Sequence, residues 1–540
     1  MNAFSALDWT VLAAYFGVLL GIAWWVVRRQ PATSTDYFLA GRHVGWFVVG
    51  ASIFASNIGS EHVVGLAGTA AKTGMVMGLY ELHSWLALLL GWVFIPFYLR
   101  SRVFTMPEFL ERRYSPAARW FLSLVSLVGY VLTKVSVTVY AGAVVFQTLM
   151  GVDFWTGALV TVLLTGAYTA LGGLRAVVYT EAVQALVLIA GSAAVTLIGL
   201  DRIGGWSNLV TTAGSDHLTL FLPADHAEFP WPGMVLAPPI VGLWYWCTDQ
   251  YIVQRALAAR DEKQARRGTI FAAYLKLLPF FIFMIPGVVA FALARTGRLE
   301  LSSPDQAFPV MVKALLPAGL RGLVAAGLLA ALMSSLASVF NSCSTLFTMD
   351  IYRKLRPATD EARLVRVGRI ATAVVVAFGV LWIPLMERVS GELYHYLQSV
   401  QAYLAPPIAV VFFLGLFWKR LNAAGATSAL AGGFLLGMAR LVAELNRESL
   451  GGALRWFAEV NFLYFALLLT GACVALLVVT SLLTAPPDES RILGLTYATT
   501  GAAERDASRS SWNALDVALS LLVLLVLALT MLYFSPLGIG

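Results

Sequence analysis

Runs of about 20 predominantly apolar residues recur along this chain from end to end, each long enough to cross a bilayer as an α-helix. In hydrocarbon there is no water to satisfy backbone N–H and C=O groups. A segment of that kind is therefore confined to structures that pair these groups internally, and for an isolated run that means a helix. Composition agrees with the pattern. Of 540 residues, 59% are hydrophobic and 12% charged, with a mean hydropathy of +0.77, against about 45–50% and about 25% in ordinary soluble domains. The expected class is an all-α integral membrane protein with no soluble domain of consequence.

Fourteen spans are expected. They lie near 8–27, 45–70, 75–99, 118–149, 154–171, 177–200, 234–253, 268–294, 308–348, 370–386, 391–418, 424–443, 459–483 and 512–535. The run 308–348 is too long for one crossing, so an outer helix is expected at its start. Residues 201–233 read as a long polar connection and 484–510 as a mobile charged loop. With the N-terminus placed outside, 25 of the 37 Lys and Arg residues fall in inside loops, 10 fall outside, and Lys134 and Lys276 lie within spans. That bias orients the chain with both termini outside. It also accounts for the net charge of +7 without any nucleic-acid partner. The first apolar run lacks the basic start and cleavage site of a signal peptide and is read as a retained helix. Cys247, Cys343 and Cys473 are odd in number and far apart, which suits buried packing residues rather than a disulfide framework or metal site.

Two spans look interrupted. Asn57-Ile-Gly-Ser-Glu-His62 places polar residues and a glycine at mid-membrane depth, and Pro406-Pro407 divides the eleventh span. Broken helices near the midplane point to a transporter binding site. Glu61, Glu81, Asp249, Lys134 and Lys276 are ionisable residues inside spans, with His62 and His83 beside them. Such groups are costly in hydrocarbon and persist where they have partners. A buried ion pair locking helices explains any one of them. Gathered around a break, carboxylate, ammonium, imidazole and amide groups with an aromatic face suit a polyhydroxylated ligand. Ser334 and Ser335, with the Ala331 carbonyl one turn earlier, present oxygens of the kind a hard cation takes. Serine in such helices also bonds back to its own i−4 carbonyl, and the residues alone leave both readings open.

Taken together, these phrases resemble the sodium/solute symporter family, and within it the sodium/glucose cotransporters, over about residues 8–483. The match rests on Phe38-Leu-Ala-Gly-Arg42, Ala55-Ser-Asn-Ile-Gly-Ser-Glu-His62, Gly65-Leu-Ala-Gly68, Tyr80-Glu81 and Trp244-Tyr-Trp-Cys-Thr-Asp-Gln250. It continues through Ile252-Val-Gln-Arg255, Tyr274-Leu-Lys-Leu277, Met333-Ser-Ser335, Phe340-Asn-Ser342, Phe347-Thr-Met-Asp-Ile-Tyr352 and Pro406-Pro-Ile408.

The resemblance implies a LeuT-type five-plus-five inverted repeat with about fourteen transmembrane helices. The core would span 45–418, with repeats at about 45–200 and 234–418. Residues 1–44 would add one helix and the first inside loop, and 419–540 the C-terminal helices. Sugar-contacting positions of the family match Asn57, His62, Glu81, Tyr245, Trp246, Lys276 and Gln398. Gate positions match Leu66, Tyr80 and Tyr394 outside and Tyr245 inside, with Tyr replacing Phe twice at the outer gate. The family's sodium site matches the carbonyls of Ala55, Ile58 and Ala331 and the hydroxyls of Ser334 and Ser335. Some members carry a second sodium site, which needs a hydroxyl where this chain has Ala337 and an aspartate where it has Glu181. One sodium per sugar is therefore expected. The implied function is sodium-coupled symport of a glucose- or galactose-type monosaccharide by alternating access, without enzymatic chemistry. A myo-inositol or other polyol symporter is the near alternative, and a non-transporting sugar sensor the distant one. Expected partners are the sugar, sodium and the lipid bilayer, with no obligatory protein partner. Short exterior connections suggest a bacterial inner membrane.

Overall fold

The computed structural model of the chain describes residues 4–28, 33–59, 61–135, 138–139, 142, 146–386 and 393–540, with 132, 133, 148, 154, 382–386, 393–397 and 399 described by their backbone only. Among these residues the architecture is helical, without a named strand. Ten helices are long and apolar enough, by length and composition, to cross a membrane. This count is lower than the fourteen expected spans because continuous helix joins some neighbouring spans and breaks shorten others.

The main elements are α1 (Ala6–Val27), α2 (Trp46–Asn57), α3 (61–73), α4 (74–100), α5 (Pro116–Gly129) and α6 (Phe154–Ile203). They continue with α7 (Pro238–Cys247), α8 (Gln250–Leu257), α9 (Glu262–Arg295), α10 (Leu320–Thr345), α11 (Glu361–Met386) and α12 (Leu393–Phe417). Three more, α13 (Ala423–Leu445), α14 (Phe462–Leu483) and α15 (Ala514–Tyr533), close the chain. α10 is the central helix, buried along nearly its whole length and packed against α6 and α2. α2 lies along α9, α7 lies against α12, and α12, α13 and α14 pack together. As expected for 308–348, a short helix, Ala307–Leu315, precedes α10.

α1 is tied to α10 by one carboxylate. Asp8 accepts from the backbone N–H groups of Gly319 (2.7 Å) and Gly322 (2.9 Å) at the start of α10, beside Arg321 at 3.6 Å. Unsatisfied N–H groups at a helix start favour an anion in this position.

α6 contains two expected spans joined through Gly173, whose φ of 58° and ψ of −155° lie outside helical space. That region is open essentially to glycine alone. A Cβ at Gly173 would also strike the Tyr37 carbonyl oxygen, so both backbone conformation and close approach require the glycine.

Three expectations are corrected. Pro406 and Pro407 do not break the eleventh span, because α12 runs through both. Each proline removes a donor to a carbonyl one turn back. Gly437 of α13 lies directly against the Tyr403 carbonyl, and Gly433 against Pro407, so a neighbouring helix fills the distorted face. The seventh span, by contrast, is not continuous: it divides at Thr248–Asp249 between α7 and α8. Residues 484–510 are not a featureless loop. They carry the helices Glu489–Ile492 and Ala502–Ser510. The Tyr497 ring stacks on Phe417 (4.9 Å) and meets Phe97 edge-on (4.8 Å), while its hydroxyl donates to Val93 O at 3.1 Å. Glu504 faces Arg100 at 3.5 Å and Ser508 donates to Glu262 at 2.5 Å. This strap therefore joins the ends of α4, α9 and α12.

Gly173→Ala is expected to lower the thermal unfolding midpoint of detergent-purified protein, reflecting a cost of about 1–3 kcal/mol. Gly17→Ala, on α1 where a Cβ meets nothing within 4 Å, is expected to be neutral or slightly stabilising in the same assay.

Candidate functional site

The chain leaves helical geometry where α2 ends. Ile58 is extended, with φ −89° and ψ 101°, and helix resumes at Glu61 in wide π-type turns. Ending a helix at this depth frees the carbonyls of its last turn. Neighbouring helices take two of them: Ser334 Oγ of α10 donates to Ala55 O at 2.8 Å, and the Tyr251 hydroxyl of α8 donates to Ser56 O. The second break is built by Asp249, which caps α8 by accepting from Tyr251 N at 3.2 Å and also receives the Tyr130 hydroxyl. The two interruptions thus meet, since Tyr251, whose N–H Asp249 accepts at the start of α8, also closes the end of α2.

An oxygen cluster sits on this junction. Ser334 Oγ lies 2.8 Å from Ala55 O and 3.0 Å from Ala331 O. The adjoining Ser335 hydroxyl is buried beside the Tyr251 phenol. Ile58 ends the same turn of α2. Every donor atom in the set is oxygen, the ligand type of a hard cation. A second polar cluster lies next to it and is already saturated. Glu181 accepts from Arg255 (3.1 Å), Ser56 (3.1 Å), Ser338 (2.5 Å) and Ser52. Arg255 is wholly buried and also donates to Tyr251 O at 2.7 Å. A buried carboxylate needs this degree of compensation.

All seven residues expected to touch a ligand line one cavity of about 50 Å³: Asn57, His62, Glu81, Tyr245, Trp246, Lys276 and Gln398. α3 and α4 supply His62 and Glu81, α7 the aromatic pair, α9 Lys276 and α12 Gln398. Lys276 Nζ lies 2.6 Å from Glu81 Oε2, and His62 Nε2 lies 3.6 Å from Glu81 Oε1. Asn57 Nδ2 donates to the Tyr245 hydroxyl at 3.3 Å, and its Oδ1 is buried with no partner among the described residues. The Lys134 ammonium sits 4.7 Å from the Tyr245 ring centre and 5.1 Å from that of Tyr251. Donors, acceptors and ring faces thus converge on one small space, the arrangement that orients a polar ring-shaped ligand.

The gate positions are less uniform. Tyr80 lines the cavity with a buried hydroxyl that has no partner among the described residues, whereas Leu66 is fully buried and is not part of the described lining. Tyr394 and His395 lie on α12, but their side chains are outside the described residues. Glu61, His83, Lys134 and Gln401 also line the cavity. Gln401 carried a usable signal, because it stands three residues after Gln398 on one helix and so shares its face. Tyr251 carried one too, two residues after a capping aspartate.

A wider cleft of about 910 Å³ lies beside the strap. Two of its arginines are already engaged: Arg113 donates to the carbonyls of Gly415, Trp418 and Leu421, and Arg112 to Ser101 O and Glu108. The smaller cavity, where polar groups converge beside two helix breaks, is the better candidate.

Residues 37–433 match the sodium:solute symporter family. The sodium/myo-inositol cotransporter 2 of Oryctolagus cuniculus is 40% identical, over 91% of this chain and 79% of its own. The sodium/glucose cotransporter 4 of Danio rerio is 37% identical, over 91% of this chain and 81% of its own. Among solved structures, a Na+-coupled sialic acid symporter in a substrate-bound outward-open state superposes with a TM-score of 0.76 at 25% identity, covering 90% of this chain and 99% of the other. The five-plus-five inverted-repeat fold is thereby shared, the chain is a multi-pass membrane protein, and it belongs to the sodium:solute symporter family.

Proposed function

We propose that this protein carries a small ring-shaped polyol, a monosaccharide of the glucose or galactose type, into the cell together with sodium. The observation that supports this most directly is the single cavity in which Asn57, His62, Glu81, Tyr245, Trp246, Lys276 and Gln398 meet beside the oxygen cluster of Ala55, Ala331 and Ser334. Each sugar hydroxyl both donates and accepts, so it matches a wall that alternates carboxylate, ammonium, amide and imidazole groups. The Tyr245 and Trp246 rings supply the apolar face. Relatives whose names specify glucose and others that specify myo-inositol resemble this chain to a similar degree, so a cyclitol is the second reading. The proposed core is 45–418, flanked by 1–44 and 419–540, in a bacterial inner membrane with both ends outside.

Sodium binds from outside among Ala55, Ile58, Ala331, Ser334 and Ser335, joining α2 to α10 and favouring the outward-facing state. An ion shifts such an equilibrium only by its difference in affinity between the two states. The ligand then enters past Tyr80 and Tyr394. It competes with the Glu81–Lys276 pair and His62 for their hydrogen bonds and rests against Tyr245. Closure and rocking expose the cavity inward, where low sodium empties the cation site and the sugar follows. A potential of about 100 mV adds about 2.3 kcal/mol for the one charge moved. The saturation of Glu181 by Arg255 and three serine hydroxyls, with Ala337 beside Ser338, supports one sodium per sugar.

Radiolabelled glucose and galactose uptake into proteoliposomes under an imposed sodium gradient tests the reading. Wild-type protein is expected to accumulate sugar against its gradient, and Ser335→Ala and Gln398→Ala are each expected to reduce uptake at least about tenfold, the loss of one buried hydrogen bond or ligand. Binding without accumulation would instead identify a sensor. In the same vesicles, paired sodium and sugar flux is expected to give a ratio of one to one, and a ratio of two would place a second cation at Glu181.

A further inference from the structure

The sugar-contacting positions carried over from the family leave one carboxylate of the cavity without a task. Glu61 begins α3, lines the cavity and is 1% exposed. Its carboxylate accepts from its own backbone N–H, its Oε1 stands 3.9 Å from His62 Nδ1, and its Oε2 meets no donor among the described residues. Lys134 also lines the cavity. That ammonium, however, sits over the rings of Tyr245 and Tyr251 rather than on the carboxylate. The contrast with Glu81 is direct, since both Glu81 oxygens face cations or imidazole. A buried carboxylate oxygen without a donor is costly, and a ligand hydroxyl relieves that cost.

We infer that Glu61 is a specificity-determining residue of the cavity: it receives a donor hydroxyl that a cyclic polyol presents and a hexopyranose lacks, and so admits cyclitols as substrates. The inference rests on the sugar-symport reading above and deepens it. A carboxylate accepts and does not donate. A pyranose ring has one edge occupied by its ring oxygen, which also only accepts, so that edge repels a carboxylate. A cyclitol carries a hydroxyl on every ring carbon and can offer an O–H on every edge. The cavity has two carboxylates, Glu61 and Glu81, on either side of His62, and only Glu81 is matched by a close cation. The wall is thus one acceptor richer than the set of residues that the sugar reading uses.

Titration of purified protein in sodium-containing detergent buffer with D-glucose and with myo-inositol, followed by calorimetry, tests this without requiring transport. Wild type is expected to bind both ligands. Glu61→Gln and Glu61→Ala are expected to raise the myo-inositol Kd about tenfold or more, equivalent to about 1.4 kcal/mol, while changing the glucose Kd less than about threefold. Glucose binding by the variants serves as the check on their folding. Equal effects on the two ligands, or none, overturn the inference. So does wild-type protein that binds glucose and not myo-inositol, an outcome that leaves the sugar reading intact and needs no variant to fold. Wild type that binds neither ligand in sodium overturns both.

Discussion

The carbonyls released where α2 ends are the constraint on which the rest of the site depends. A helix that stops at membrane depth must hand its last acceptors to something other than water. Here the hydroxyl of Ser334 takes Ala55 O, and that of Tyr251 takes Ser56 O. Those two bonds fix α10 and α8 against the break. They in turn place Tyr245, six residues before Tyr251, beside Asn57, and bring the π-turned start of α3 with Glu61 and His62 into the same space. The cavity is a by-product of satisfying a broken backbone.

Charge is distributed by the same logic. Glu181 and Arg255 form a buried unit with Ser52, Ser56 and Ser338, in which both Glu181 oxygens accept hydrogen bonds. The Glu81–Lys276 pair, by contrast, lines a cavity and shares its carboxylate with His62. Both pairs carry no net charge, but only the second adjoins a space into which its hydrogen bonds can be redirected. A pair that locks helices and a pair that exchanges partners differ less in distance than in what lies next to them.

Much of this was legible in the sequence, for reasons that differ from element to element. The first break announced itself because Asn57, Gly59, Glu61 and His62 are conspicuous in apolar surroundings. The second did not. Asp249 reads equally well as an in-span charge or as a helix cap, and only the Tyr251 N–H that it accepts decides the matter. Pro406 and Pro407 suggested a break that the fold does not make, because the cost of a proline in a helix is set by its neighbours. Gly433 and Gly437 lie about thirty residues further on. The strap at 484–510 looked featureless because Tyr497 gains its order from Phe97 and Phe417, which local pattern does not reveal. The ligand positions came through resemblance, which gave no role to Glu61, although it stood out as a charge at the break, or to Gln401, and their placement around the cavity brings both forward.

Ser334 has one proton and two carbonyls in reach, 2.8 and 3.0 Å away. A carrier that has delivered its cargo must return empty, and a bare ring of inward-pointing oxygens would then repel itself at the centre of the membrane. A hydroxyl able to swing its hydrogen toward Ala55 O or Ala331 O quiets that repulsion, and turning away presents its lone pairs instead. On the sodium role proposed for Ser334, the same side chain would be a plug for the vacant passage and a socket for the filled one, keeping the idle half of the cycle open to a protein whose site would otherwise hold it in place until an ion arrived.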